Sequence, residues 1–238
     1  MNKKLISLSL TEVSKKMLET QALSGVSLNF EAGRIHGIIG PDGAGKTTFI
    51  RLAAKLLKPD SGSIGYFEDG KKIPDGSIQK RIAYLPQEQS LYADLSCMEH
   101  LEFFSNLYSM SKKDFKKKSA RLLEMAGLSR FADRKAGNLS GGMYKKLGVI
   151  CVLLNSPDLL LLDEPAIGVD PLSRRDLWEL IRSVSNEMTV ICSTSYMDEA
   201  EKCDKVHILN EGKVIASGLP DNIKKQFNVK KIEEVFLK

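Results

Sequence analysis

The stretch Gly40-Pro41-Asp42-Gly43-Ala44-Gly45-Lys46-Thr47 has the spacing of a phosphate-binding loop: Gly, four residues, Gly, Lys, Thr. The apolar run Gly37-Ile38-Ile39 precedes it and the apolar-periodic Phe49-Ile50-Arg51-Leu52-Ala53-Ala54 follows it. A buried strand therefore runs into a loop and then into a helix, which is the context the motif needs. Glycines let successive backbone N–H groups turn inward around an anion, and the helix beginning near Lys46 adds its positive end. Lys46 is expected to reach the β- and γ-phosphates, and the Thr47 hydroxyl to take Mg2+. Thr48 completes the expected nucleotide-binding set. A Gly-rich turn with a solvated lysine is the competing account, and it leaves the flanking strand and helix signals unused.

Composition bounds the rest. The chain has 238 residues, 42% apolar and 27% charged, enough for a full core of ordinary soluble composition. A net charge of +5 is mild, and the basic patch Lys112-Lys113 with Lys116-Lys117-Lys118 reads as a solvated helix face. Cys97, Cys151, Cys192 and Cys203 show no paired metal-ligand spacing, and three of them sit in apolar surroundings that suit reduced core thiols. The run Met1-Asn2-Lys3-Lys4-Leu5 carries no apolar stretch of signal-peptide length, and nothing approaches the roughly 20 apolar residues of a membrane span. Any membrane role would need other segments to cross the bilayer.

Along the chain, residues 5–10 and 22–30 alternate as strands, and residues 34–39 deliver the phosphate loop. The helix after the loop is expected to end near Leu57, before Lys58-Pro59-Asp60-Ser61-Gly62. Short strands over 63–67 and 82–85 follow, with the second closing at Pro86-Gln87-Glu88. Ser96-Cys97-Met98-Glu99 reads as a capping box, and a second helix over 112–126 stops at Gly127. Residues 90–138 are thus expected to be a helical insertion. Asn138-Leu139-Ser140-Gly141-Gly142 is a second glycine turn that opens a helix. Residues 188–193 read as a strand, and 206–209 with 213–215 as a hairpin around Asn210-Glu211-Gly212.

Leu159-Leu160-Leu161-Leu162-Asp163-Glu164-Pro165 is a buried parallel strand ending in acids. Paired carboxylates after four leucines are costly to desolvate without a cation, so Asp163 is assigned to Mg2+ and Glu164 to polarising the attacking water. Ser140-Gly141-Gly142 is again an anion-binding helix end. One chain binding one nucleotide has no need of two such ends, whereas a dimer does if each subunit offers its second turn to the other's nucleotide.

Taken in order and spacing, Gly40–Thr47, Gln87, Leu139-Ser140-Gly141-Gly142 and Leu159–Pro165 resemble the ATPase subunit of an ATP-binding cassette (ABC) transporter, over essentially the whole chain. The resemblance implies one α/β domain over 1–238. It would have a P-loop NTPase core with a mostly parallel sheet, an N-terminal antiparallel portion and the helical insertion. It implies ATP and Mg2+ as ligands, with residues 40–48 and Asp163 binding Mg-ATP and Glu164 as general base. Gln87 would link the γ-phosphate and Mg2+ to the helical subdomain. Leu139–Gly142 would close over the ATP of an opposite subunit, and Asp170 would sit in the loop crossing that interface. Partners implied are transmembrane permease segments and a second ATPase domain, identical or different and possibly fused, at the cytoplasmic face of the inner or plasma membrane. Met143, Tyr196-Met197-Asp198-Glu199-Ala200 and the terminal Glu233-Glu234-Val235-Phe236-Leu237 resemble the branch that exports drugs, lipids and polysaccharides.

Two positions depart from that pattern. Ser195 stands where the family usually has a histidine on the γ-phosphate, and a serine brings no positive charge. Met17 or Leu18 falls where an aromatic ring usually stacks on adenine. Both departures raise an alternative: a degenerate, weakly hydrolysing regulatory domain paired with an active partner, excised from a fused polypeptide. A soluble relative acting on DNA or ribosomes is disfavoured by the mild charge and by the absence of an inserted arm or zinc-finger cysteines, so no nucleic-acid partner is expected.

Overall fold

The computed structural model describes residues 5–88 and 91–237; the leader reading on Met1–Lys4 lies outside them. Alternation in the first strands buries one face. In β1 (Ile6–Met17) Ile6, Leu8, Leu10 and Val13 point into the core, and in β2 (Thr20–Phe30) Leu23, Val26, Leu28 and Phe30 do. The two pair antiparallel, and with β4 (Ser61–Glu68) and the two-residue β5 (Lys71–Lys72) they form a sheet of order β2-β1-β4-β5.

β1 runs seven residues past Leu10, where the expected strand stops. The register shifts between Leu10 and Val13, and Glu12 takes φ +50. A bulge of this kind breaks the alternation that sequence reading relies on.

A second sheet carries the site. Its order is β10-β9-β3-β8-β7-β6, from β3 (Ile35–Ile39), β6 (Ile82–Leu85), β7 (Leu159–Asp163), β8 (Thr189–Thr194), β9 (Lys205–Asn210) and β10 (Lys213–Gly218). β3 pairs parallel with β8 and β9, and β7 pairs parallel with β8, while β9–β10 is an antiparallel hairpin. Every residue of β3, β7 and β8 is buried, as strands covered on both faces require. α1 (Lys46–Ala53) packs Phe49, Ile50, Leu52 and Ala53 into the cluster that includes Phe30, Tyr66, Leu159, Leu161 and Ile191. Each large side chain so buried contributes about 1.5–3 kcal/mol. α1 ends before the expected Leu57 because Lys55 turns to φ +59, with its ammonium held by Asp75 at 2.5 Å.

Backbone packing groups the chain into two compact units. One contains the chain up to Tyr84, Asp158–Glu164 and everything from Ser185, and the other contains Leu85–Pro157 and Pro165–Val184. The second unit is helical: α3 (Cys97–Leu107), α4 (Lys112–Met125), α5 (Gly141–Leu153) and α6 (Pro171–Val184). The short α2 (Asp75–Ile78) and the C-terminal α7 (Pro220–Phe227) belong to the first unit. The capping box at Ser96 is present, with the Ser96 hydroxyl accepting from the Glu99 N–H and the Glu99 carboxylate accepting from the Ser96 N–H.

A buried histidine pair joins β3 to the hairpin. His36 Nε2 lies 3.0 Å from the Glu31 carbonyl, His36 Nδ1 3.3 Å from His207 Nε2, and His207 Nδ1 2.8 Å from the Ser217 hydroxyl. Two neutral rings protonated on Nε2 satisfy the whole chain of contacts. Phe30 packs on both rings. Burial pushes the His207 pKa down to about 3, with His36 and Lys205 adding to the effect, and burial likewise lowers that of His36 against the pull of the Glu31 carbonyl. The unfolded chain therefore binds protons below about pH 6.5 that the folded chain refuses. Stability is expected to fall as pH drops from about 6.5, by up to about 1.4 kcal/mol per unit for each ring. Urea unfolding at pH 7, 6 and 5 checks this, and His207→Phe should flatten the slope.

Candidate functional site

The site in the first unit is assembled where β3, β7 and β8 end. β3 delivers the loop, which closes so tightly that a Cβ on Gly40 would lie 2.2 Å from the Leu209 carbonyl oxygen. Gly45 caps α1 at φ +101, and a Cβ there would meet the Ala22 carbonyl at 2.3 Å. Both glycines are thus fixed by backbone approach as well as by the turn. Lys46 is 6% exposed, and its Nζ donates to the carbonyls of Gly40 at 2.8 Å and Pro41 at 2.9 Å.

The two acids at the end of β7 meet the first turn of α1. Asp163 Oδ1 accepts from Thr47 Oγ1 at 3.1 Å and from Ser193 Oγ at 2.8 Å, while its Oδ2 is buried with no hydrogen-bond partner. Burial pushes the Asp163 carboxyl pKa up, and the Ser193 and Thr47 hydroxyls oppose the shift. An orphaned, desolvated carboxylate oxygen beside a threonine hydroxyl fits a hard divalent cation. Among the described residues no group of three His, Cys, Asp or Glu side chains could hold a metal.

Glu164 faces the loop. Its Oε1 lies 3.0 Å from Lys46 Nζ, and its Oε2 accepts from the Ser195 N–H at 3.0 Å and the Ser195 hydroxyl at 3.2 Å. Its backbone sits at φ +47, with its N–H donating to Ser193 O and Oγ, both at 3.1 Å. Lys46, Thr47, Asp163, Glu164 and Ser195 therefore converge. Ser195, the residue standing where the family usually has a histidine, places its hydroxyl on the carboxylate of Glu164. Ser193 supports both acids, a role that its place near the end of β8, between Cys192 and Thr194, does not mark in the sequence. At the tip of the β1–β2 hairpin, Met17 pairs with Thr20, and Leu18 is 95% exposed at φ +52.

The other expected residues lie in the helical unit. Gln87 follows β6, and its carbonyl accepts from Lys145 Nζ at 3.0 Å. Ser140 caps α5 by accepting from the Met143 N–H at 3.3 Å, with Leu139 extended just before it. Gly142 is buried where a Cβ would fall 2.3 Å from that of Ser173. Asp170, expected to serve a dimer contact, spends Oδ1 on the N–H groups of Leu172 at 3.1 Å and Ser173 at 3.0 Å, at the start of α6. Those bonds hold its carboxyl pKa below the usual range.

A family model described as ABC transporter matches residues 23–167. The chain belongs to that family. This ABC cassette is 43% identical over 221 residues to the probable multidrug ABC transporter ATP-binding protein YbhF of Escherichia coli K12, covering 92% of the cassette and 38% of that protein. It is 38% identical over 208 residues to the daunorubicin/doxorubicin resistance ATP-binding protein DrrA of Streptomyces peucetius, covering 86% and 63% respectively. Among solved structures, a dimeric ATP-binding cassette in a post-hydrolysis state bound to ADP and Pi superposes with a TM-score of 0.75 at 28% identity, over 89% of this cassette and 98% of that chain. The ABC ATPase fold read from the motifs is the fold observed.

Proposed function

We propose that this cassette binds and hydrolyses Mg-ATP to power an ABC exporter of the multidrug type. The observation that carries the reading is the convergence of Lys46 and Thr47 on Asp163 and Glu164. Mg2+ would be held by Thr47 and Asp163, with Gln87 added only by the family resemblance, and would neutralise charge that develops on the phosphates. Lys46 binds the phosphates as a point charge, and the loop N–H groups from Gly40 to Thr48 orient them. Glu164 accepts a proton from the water that attacks the γ-phosphorus. One P–O bond forms as the bond to the β-phosphate oxygen breaks, leaving ADP and phosphate.

Ser140–Gly142 then serves the nucleotide of a second cassette, identical or different, with Asp170 near that interface. The dimeric ADP- and Pi-bound cassette supports this arrangement. Among the described residues no helix is long and apolar enough to cross a membrane. Transmembrane permease segments would supply the crossing, with the cassette peripheral at the cytoplasmic face. The export reading draws on the names of YbhF and DrrA.

A second reading draws on Ser195 and on Met17 or Leu18 in place of an aromatic ring: a cassette that clamps on Mg-ATP and hydrolyses it slowly beside an active partner. The metal assignment common to both is tested by titration with ATP in Mg2+ and in EDTA. Mg2+ is expected to tighten binding by roughly ten-fold or more in the wild type and to lose that effect in Asp163→Asn. Equal affinity with and without Mg2+ in the wild type would contradict it.

A further inference from the structure

Two side chains of α5 grip the backbone on either side of the segment that follows Gln87. Lys145 Nζ donates to the Gln87 carbonyl at 3.0 Å, and the Tyr144 hydroxyl accepts from the Leu91 N–H at 2.9 Å. Lys145 is half-buried, and burial pushes its ammonium pKa down. A desolvated ammonium aimed at a main-chain carbonyl is a costly arrangement for a surface lysine, and here it fixes one point of the backbone. The same stretch is anchored further on. The Tyr92 N–H donates to His100 Nε2 at 3.0 Å, and the carbonyls of Ala93 and Leu95 accept from the N–H groups of Gly137 and Ala136. Gln87 and Leu91 are thus tied to α5, and Ala93 and Leu95 to the turn leading into Leu139-Ser140.

Tyr144 and Lys145 stand four and five residues after Ser140 on the same helix, roughly 6–8 Å along its axis. Among the described residues, the other ties of this stretch toward the signature turn run through Ala93 and Leu95. With Tyr144 and Lys145, the path from Gln87 to Ser140 is one hydrogen bond and a turn and a half of helix.

We propose that Tyr144 and Lys145 are positioning residues that make the Gln87 segment and the signature turn move as one body, so that nucleotide sensed at Gln87 re-aims Ser140–Gly142. The inference rests on the proposed roles of Gln87 and of that turn. Coupling of this kind needs a physical link between its ends, and these two hydrogen bonds supply one.

Hydrogen–deuterium exchange of the full chain with and without Mg–AMP-PNP tests it. In the wild type, nucleotide is expected to slow exchange at residues 40–47, 86–95 and 140–145. In Tyr144→Phe/Lys145→Met the response at 40–47 stays and that at 140–145 is lost. In ATP hydrolysis the double variant should lose roughly ten- to hundred-fold in kcat, with the KM for ATP within about two-fold and the melting temperature unchanged. Lys145→Arg keeps a donor to the carbonyl and should behave as wild type. An intact response at 140–145 in the double variant, or a changed melting temperature with unchanged kcat, overturns the proposal. Failure of residues 40–47 to respond in the wild type removes the nucleotide-binding reading, and this inference with it.

Discussion

Glu164→Gln is expected to lower the rate of Mg-ATP hydrolysis by about 10²–10⁴-fold, the usual contribution of a positioned general base, while leaving Mg-ATP binding within about three-fold. The carboxylate is aimed at the loop by a backbone held at φ +47 through Ser193, so the amide will occupy the same place. What the amide lacks is basicity. It also cannot satisfy both neighbours. Oε1 accepts from Lys46 and Oε2 accepts from Ser195, so either orientation points an N–H at a donor. One lost acceptor costs about 1–3 kcal/mol of stability. Hydrolysis and thermal unfolding of the same variant therefore give two readouts: a large kinetic loss and a small stability loss.

Lys46→Met is expected to weaken Mg-ATP binding by about 10²–10³-fold, since one charge-assisted contact to phosphate is removed from a desolvated site. It has a second effect that does not depend on nucleotide. Lys46 and Glu164 are 6% and 4% exposed, and removing the ammonium leaves a buried carboxylate facing a thioether. Breaking such a pair from one side costs about 3–5 kcal/mol, whereas removing both charges costs far less. The double variant Lys46→Met/Glu164→Gln should therefore unfold later than Lys46→Met alone, while binding Mg-ATP no better. Additive stability losses in denaturant unfolding would show that the pair contributes nothing to the fold.

The parts of the site legible in the sequence are those where local chemistry and backbone geometry coincide. Gly40 and Gly45 sit at spacings only a tight anion loop uses, and the structure adds the approaching carbonyls of Leu209 and Ala22 as a second reason for them. The four leucines before Asp163 announced a strand covered on both faces, and Ser96 announced its helix through Glu99. Where the pattern is local but broken, reading failed. The bulge at Glu12 hid the outer half of β1, and Lys55 closed α1 through a left-handed turn the composition does not mark. α2 spans only Asp75–Ile78, too short for any period to show.

Long-range roles were the least legible. Ser193 reaches Asp163 from the neighbouring strand, and Tyr144 and Lys145 reach a segment more than fifty positions away. Nothing in spacing alone distinguishes them from ordinary strand and helix residues. Ser195 departs from the family pattern, and its contact with Glu164 is set by the register of β7 on β8, which spacing does not reveal.

Single-turnover hydrolysis of Mg-ATP, with the cassette in excess over nucleotide, tests the central claim most directly. The wild-type chain is expected to convert its bound ATP to ADP and phosphate, and Glu164→Gln is expected to hold the same ATP unchanged over that time. Tight Mg-ATP binding with no product in the wild type would contradict it, and would make this cassette a clamp.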